Sequence, residues 1–260
     1  MSRFILMSFD VEEFDIPLEY NYSIAIEEQM QIGKQGLDEM LPVVDAFSIA
    51  TTMFTTANFA MQFPDAVKAM SEKHEIASHT FYHTTFKNED LLASKLKLEE
   101  ITGKTVTGLR MPRMRKVEMS EVKKAGYQYD SSINPTWIPG RYNNRHLPRT
   151  LYTEEGMLRL PASVSPNLRL PLFWLAFKNY PYLFFKSLVL QTLKKDGYVC
   201  LYFHPWEFTN IHNYNLPGYV KKHCGKALQS RLEKLIQDIK SEGEFITIEN
   251  YIQQERINLK

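Results

Sequence analysis

The sequence predicts an α/β fold built on a parallel sheet or barrel, and three observations carry that expectation. Apolar runs of strand length alternate with amphipathic stretches of helical period along the chain. No internal repeat or linker divides the 260 residues, so 1–260 reads as one catalytic-sized domain. The chemistry-bearing side chains fall just past the ends of the apolar runs, where the loops of such folds build active sites.

Phe4-Ile5-Leu6-Met7-Ser8-Phe9 is the first buried strand, and it runs straight into Asp10-Val11-Glu12-Glu13. Asp10 and Glu12 flank Val11, so both can lean to one side of the strand end. Gly36 to Ala46 has helical period, with Leu37, Met40, Leu41, Val44 and Phe47 on one face. A strand follows over Thr51–Thr56, and Pro64 opens a helix carrying Ala66, Val67 and Met70. Glu75–Ser78 is a short strand ending at His79. Asn88 is expected to cap a helix over Glu89–Ile101. Thr107–Leu109 is the next strand, and Ser120 is expected to cap a helix ending near Gly126. Ile133 to Thr150, rich in Pro, Asn, Arg and Gly, reads as a long functional loop or lid. Tyr198–Phe203 is a strongly apolar strand ending at His204. Ala227–Ile239 is amphipathic, Phe245–Ile248 a final strand and Glu249–Ile257 a closing helix.

A net charge of +1 gives no global electrostatic case for nucleic acid. Cys200 and Cys224, the only cysteines, imply no disulfide framework and fit a reducing, cytoplasmic setting. The short apolar start ends in acids rather than in a small-residue cleavage site, so it is not read as a secretory signal. Leu170–Leu193 is aromatic-rich, but Pro171, Lys178, Pro181 and Lys186 interrupt it, so it is not a transmembrane segment. It reads as a core-packing helix pair; the sharper alternative is a surface peripheral to the inner membrane face or facing a lipid-linked substrate.

Two imidazoles four residues apart, His79 and His83, suit two metal ligands across one helical turn. On their own they are weak evidence, and Glu12 at a neighbouring strand end strengthens them. Two His and one carboxylate leave an open coordination position for water, the pattern of a catalytic divalent site.

Ser8-Phe9-Asp10-Val11-Glu12, Ser78-His79-Thr80-Phe81-Tyr82-His83, Gly108-Leu109-Arg110-Met111-Pro112 and Leu201-Tyr202-Phe203-His204 occur in that order. Together they resemble the successive motifs of the polysaccharide deacetylases (carbohydrate esterase family four). Tyr129-Asp130-Ser131-Ser132 and Leu160-Pro161 resemble landmarks of the intracellular-type branch that acts on surface polysaccharides. The resemblance implies a distorted (β/α) barrel of about seven strands, TIM-like, and hydrolysis of an N-acetyl group from a sugar. It implies Asp10 as general base and Glu12, His79 and His83 as ligands of one divalent ion, zinc being expected. The family's pattern has two adjacent aspartates; here Val11 stands at the second, and Glu12 resembles the variant with the ligand displaced by one.

The physical chemistry supplies compatible roles. Asp10 would take a proton from metal-activated water, and Arg110 would pair with Asp10 to hold it ionised. His204 is placed to protonate the leaving amine, and a backbone N–H after Pro112 could meet the developing oxyanion. Asp130 is expected either to orient the acid histidine or to cap a turn. Arg113, where the family has an aromatic residue, could greet an acidic sugar or a diphosphate, with Arg115 and Lys116 extending the patch or forming a solvated turn. Trp206 could wall the acetyl methyl or the sugar ring, or pack in the core.

The reading is a metal-dependent N-deacetylase acting on an acetylated amino sugar or oligosaccharide, with two alternatives. One is a related amidase on small non-sugar amides; the other is a catalytically silent carbohydrate-binding homologue, supported by Val11 at the usual ligand position.

Overall fold

The computed structural model describes residues 2–258. Strand β1 (Phe4–Val11) leads through a 3-10 turn at Ile16–Tyr20 to α1 (Ile26–Ala46). The strand-to-helix step then repeats: β2 (Thr52–Thr55) with α2 (Ala57–Gln62) and α3 (Pro64–Ser71), then β3 (Glu75–Ser78) with α4 (Glu89–Thr102). β4 (Gly108–Leu109) with α5 (Met119–Lys124) precedes β5 (Tyr129–Asp130). A small hairpin, β6 (Trp137–Ile138) and β7 (Tyr142–Asn143), is followed by β8 (Tyr152–Glu154) and β9 (Met157–Arg159). α6 (Trp174–Asn179) and α7 (Tyr182–Asp196) precede β10 (Tyr198–Phe203). α8 (Gly218–Lys221), α9 (Lys226–Ile239), β11 (Glu244–Phe245) and α10 (Ile248–Asn258) follow.

The sheet order is β10-β1-β2-β3-β4-β5-β9-β8, with β11 beside β1. Its pairings are parallel except for the β8–β9 hairpin. The sheet curls into a half-barrel, and the stretch after β9 reaches back to β10. There the Ser163 N–H donates to the Cys200 carbonyl at 2.9 Å, and the Cys200 N–H donates to Ser163 Oγ at 2.8 Å. The expected distorted barrel is the observed architecture.

Strand alternation sorts the core. Leu6, Phe54, Ala77, Tyr129 and Cys200 fill the barrel, which Ile248, Tyr251 and Ile252 of α10 plug from below. Ile5, Met7, Phe9, Leu201 and Phe203 face outward against the helices. Phe9 lies opposite Phe203 and Ser78 opposite Leu109, so Asp10 leaves the sheet beside His204, and His79 beside Arg110.

Several local expectations are corrected. α1 begins at Ile26, well before Gly36, because Gln29, Gly33 and Gly36 face the core without adding apolar period. α2 has no apolar stripe to announce it; Thr56 Oγ1 caps it by accepting from the Phe59 N–H at 3.2 Å. Asn88 makes no side-chain cap, and Asp90 Oδ2 accepts from the Lys87 N–H at 2.7 Å instead. α5 takes Glu118 rather than Ser120 at its cap position. The final strand ends at Phe245: the Ile248 N–H turns to Thr52 Oγ1 at 2.9 Å, and α10 begins there. Leu170–Leu193 forms α6 and most of α7, broken at Pro181; Phe185, Leu188, Val189 and Leu193 are buried. Among the described residues no helix is long and apolar enough to cross a membrane.

α1 presses on the rim of the barrel through its two glycines. A Cβ on Gly33 would lie 2.5 Å from the Glu12 carbonyl oxygen, and one on Gly36 would lie 2.2 Å from that of Pro205. Gly36→Ala should therefore push α1 off the rim, costing about 1–3 kcal/mol by overpacking and lowering the thermal midpoint by several degrees. An unchanged midpoint in a thermal melt would show that the helix can shift without penalty.

Candidate metal and catalytic site

The alternation that buries Phe9 outside the barrel turns Ser8, Asp10 and Glu12 inward as a column rising to its mouth. Val11 faces the helices, in the outer core, and cannot reach the mouth. That orientation explains why the ligand-type carboxylate here is the residue after it.

Arg110 fills the centre of the barrel with none of its surface exposed. Its Nη1 donates to Asp10 Oδ1 at 2.6 Å and to Ser8 Oγ at 2.9 Å. Nε and Nη2 donate to Ser131 O at 3.2 Å and Ser131 Oγ at 3.1 Å. Its plane lies 4.0 Å from the Phe54 ring centroid and 5.1 Å from that of Tyr202. Burial alone would disfavour the charge, but Asp10 outweighs it and raises the Arg110 pKa. The other oxygen, Asp10 Oδ2, lies 3.9 Å from His204 Nε2.

Glu12, His79 and His83 are buried together, their ligand-type atoms all within 4.8 Å of one another. Glu12 Oε2 is 3.0 Å from both His79 Nε2 and His83 Nε2. Two ligand atoms on a tetrahedral zinc, each ~2.0–2.1 Å from it, lie roughly 3.3 Å apart, so the set fits a divalent ion with little adjustment. His79 Nδ1 is 2.8 Å from the Arg110 carbonyl, which orients the ring so that Nε2 faces Glu12. The two histidines do not stand on a helical turn as their spacing suggests. They sit in a loop whose Thr80 takes a φ of 63°, and the Thr80 and Phe81 carbonyls accept from the Ala57 and Asn58 N–H groups at 3.0 and 2.9 Å.

Asp15, which sequence reasoning missed, stands behind His83: its Oδ2 is 2.7 Å from His83 Nδ1. Burial disfavours charge on His83, yet Glu12 and Asp15 outweigh it and raise its pKa to about 10. Burial likewise pushes the Glu12 carboxyl up, but His83, His204 and His79 hold it well below the usual range.

His204 is held by Glu207, also missed. The Glu207 carboxylate accepts the His204 N–H at 2.8 Å and lies 3.1 Å from Nδ1. Behind it, the fully buried Lys178 places Nζ 3.1 Å from Glu207 Oε2. Burial works against charge on His204, but Glu12, Glu207 and Asp10 raise its pKa. The spacing His204-Pro205-Trp206-Glu207 is a capping-box spacing, and that signal was present in the sequence.

Asp130 does not meet His204. Its carboxylate accepts from Arg159 Nε at 2.8 Å, Ser132 Oγ at 2.5 Å and the Ser132 N–H at 3.1 Å, so of the two expectations it performs the turn-capping one. Arg113 does not present a free guanidinium: it donates to Glu19 Oε1 at 2.6 Å and Asp15 Oδ2 at 2.8 Å. The expected greeting of an acidic sugar or diphosphate loses its charge to these acids. Pro112 is buried at the start of a 3-10 turn, Pro112–Met114, whose Arg113 has φ 56°. Arg115 points away to Phe86, 6.0 Å from its ring, and Lys116 is exposed. Trp206 packs in the core, one of the two expectations, and also lines the cavity. It packs on Phe14 and Trp174, and its Nε1 donates to Glu12 Oε1 at 3.1 Å while its ring stacks on His204, centroids 4.9 Å apart. Over these groups lies a cavity of about 260 Å³, lined also by Tyr142, Trp174 and Tyr219.

The model of the polysaccharide deacetylase family matches residues 28–129. No curated protein matches the chain. Among solved structures, a protein of Mycobacterium smegmatis assigned to the polysaccharide deacetylases is similar at 15% identity and a TM-score of 0.69, over 99% of this chain and 92% of its own. An allantoinase is similar at 16% identity and a TM-score of 0.63, over 96% and 89%. A peptidoglycan N-acetylglucosamine deacetylase is similar at 17% identity and a TM-score of 0.51, over 94% and 85%.

Asp15→Ala should release His83 and weaken divalent-ion affinity about 10–100-fold, read by chelator competition. The raised His83 pKa also fixes a pH dependence. Without the ion, its pairing stabilises the fold fully below pH 6.5, the ordinary value, and that contribution is lost as pH rises through about 10. Loading the ion at pH 8 must displace this proton, so calorimetry in two buffers of different ionisation enthalpy should read about one proton released per ion. Release of none would mean that His83 is neutral before the ion binds.

Proposed function

We propose that this polysaccharide deacetylase family chain is a metal-dependent, zinc-using N-deacetylase, a single catalytic domain over 1–260. Its substrate would be an amino sugar of a surface polysaccharide or of its precursor, met in the cytoplasm. The observation that carries the reading is the convergence of Glu12, His79 and His83 beside an Asp10–Arg110 pair and a carboxylate-held His204. Structural likeness to a peptidoglycan N-acetylglucosamine deacetylase supports the choice of an N-acetyl sugar.

A divalent ion held by Glu12, His79 and His83 would supply Lewis acidity, acidifying water and polarising the acetyl carbonyl. Asp10, one oxygen tied to Arg110 and the other facing the cavity, takes the proton from the attacking water. The water oxygen joins the acetyl carbon, the C–N bond breaks, and His204 Nε2 gives its proton to the departing amine. Glu207 keeps His204 Nδ1–H in place, so that Nε2 is the nitrogen that faces the cavity. The N–H after Pro112 is the protein's own donor for the acetyl oxygen as charge gathers on it. Trp206, which lines the cavity, would serve as an apolar wall for the acetyl methyl. The allantoinase-like fold favours a second reading, an amidase on small non-sugar amides.

Two measurements test the proposal. Protein purified without chelator should carry about one divalent ion per chain, and His79→Ala should lose it. His204→Ala should keep the ion while acetate release from N-acetylated sugars falls about 10²–10⁴-fold. Near-full turnover in that variant would sink the acid assignment; a chain that binds no ion even in excess zinc would sink the hydrolase reading.

A further inference from the structure

The mouth of the cavity is fenced by polar contacts between segments far apart in sequence. On one side the β6–β7 hairpin reaches the 3-10 turn at Ile16–Tyr20: Arg141 Nη2 donates to Glu19 Oε2. The next residue of that turn, Tyr20, shares a hydroxyl–hydroxyl hydrogen bond of 2.9 Å with Tyr219 of α8. The Tyr219 carbonyl accepts from Asn179 Nδ2 at 2.9 Å, which ties α8 to the end of α6. The loop before α6 is in turn tied to the segment entering the hairpin, where Thr136 Oγ1 donates to the Arg169 carbonyl at 2.6 Å. Hairpin, turn, α8 and α6 each contribute to the wall of the cavity as well as to this fence.

A polysaccharide bound through an interior unit needs two exits, one for each flanking sugar. Walls tied together by these contacts obstruct such exits and favour entry along the axis of the mouth. The cavity's 260 Å³ is small beside the ~300–1,000 Å³ of pockets that hold drug-sized ligands, and suits one ring. Its charge points the same way. The two guanidiniums at the mouth, Arg113 and Arg141, are already matched by Asp15 and Glu19, so neither is left for an anionic sugar. Trp174 and Tyr142, half-buried in the cavity wall, offer aromatic surface to a neutral ring.

We propose that this fence makes the site specific for a single neutral N-acetylated ring, as a monosaccharide unit or at a chain end, and excludes the interior of a polymer. Glu19, which ties the turn to both arginines, is its specificity-determining residue. The inference rests on the deacetylase reading and names its substrate class.

Three neutral probes test it: a monosaccharide glycoside of N-acetylglucosamine, an oligosaccharide acetylated only at its terminal unit, and one acetylated only at a central unit. Acetate release from the zinc-loaded protein should give kcat/KM at least tenfold higher for one or both of the first two than for the third. Glu19→Ala should raise the central-to-terminal ratio about tenfold, and Arg141→Ala, at the exposed rim, should raise it in the same direction without threatening the fold. Fluorescence of Trp174 and Trp206 gives a readout without turnover, in which the centrally acetylated chain should fail to bind. Equal turnover of central and terminal units, or a ratio unmoved in both variants, would overturn the fence while leaving the deacetylase reading intact. No acetate from any probe would overturn the deacetylase reading itself, and the inference with it.

Discussion

The structure depends on accommodating one guanidinium inside the barrel. Arg110 has no exposed surface, and an unpaired charge so placed would be untenable. Its partners therefore constrain several strands at once. Ser8 and Asp10 fix β1, Ser131 fixes the end of β5, and Phe54 and Tyr202 bracket the plane from β2 and β10. Losing one partner of such a buried pair typically costs about 3–5 kcal/mol, mostly from the charge left behind. The same Arg110 offers its backbone carbonyl to His79, so the residue that orders the barrel also orients a candidate ligand.

Around that centre the acids and bases alternate in a chain that leaves few members unmatched. Lys178 faces Glu207, Glu207 faces His204, His204 faces Asp10 and Glu12, and Glu12 faces His79 and His83. Asp15 ends the chain between His83 and Arg113. In a buried interior such a sequence holds each group in one orientation, which is what proton transfer at a fixed atom requires.

How much of this the sequence discloses follows from which forces act locally. β1 and β10 were legible because both faces of each are buried, which leaves an uninterrupted apolar run. The rim residues Asp10, Glu12, His79, Arg110 and His204 were legible because each follows such a run or a recognised motif. Asp15 was not, because holding a histidine from behind leaves no pattern in a single chain, and Glu207 was marked only by its capping-box spacing from His204. The His79–His83 pair was found by a spacing argument whose premise, a helix, is replaced here by a left-handed Thr80. Arg113 carried the right charge into the right cleft, yet its neutralisation depends on Glu19 and Asp15, nearly a hundred residues earlier. α2, only six residues long, depends on its Thr56 cap and on the loop docked at its N-terminus, neither of which marks a period.

The place of β1 between β2 and β10 has a consequence for biosynthesis. Ser8–Val11 are paired by β2 after some forty residues of chain, but the β10 side waits for Tyr198–Phe203, and Phe4–Ile5 gain a further partner only with β11. Until then a strand of almost wholly apolar residues keeps an unpaired row of backbone groups, a template for wrong partners. The candidate metal-ligand side chains are all synthesised in that interval, whereas His204 arrives only with β10. The proton donor proposed for catalysis thus arrives with the strand that covers the longest paired edge of β1.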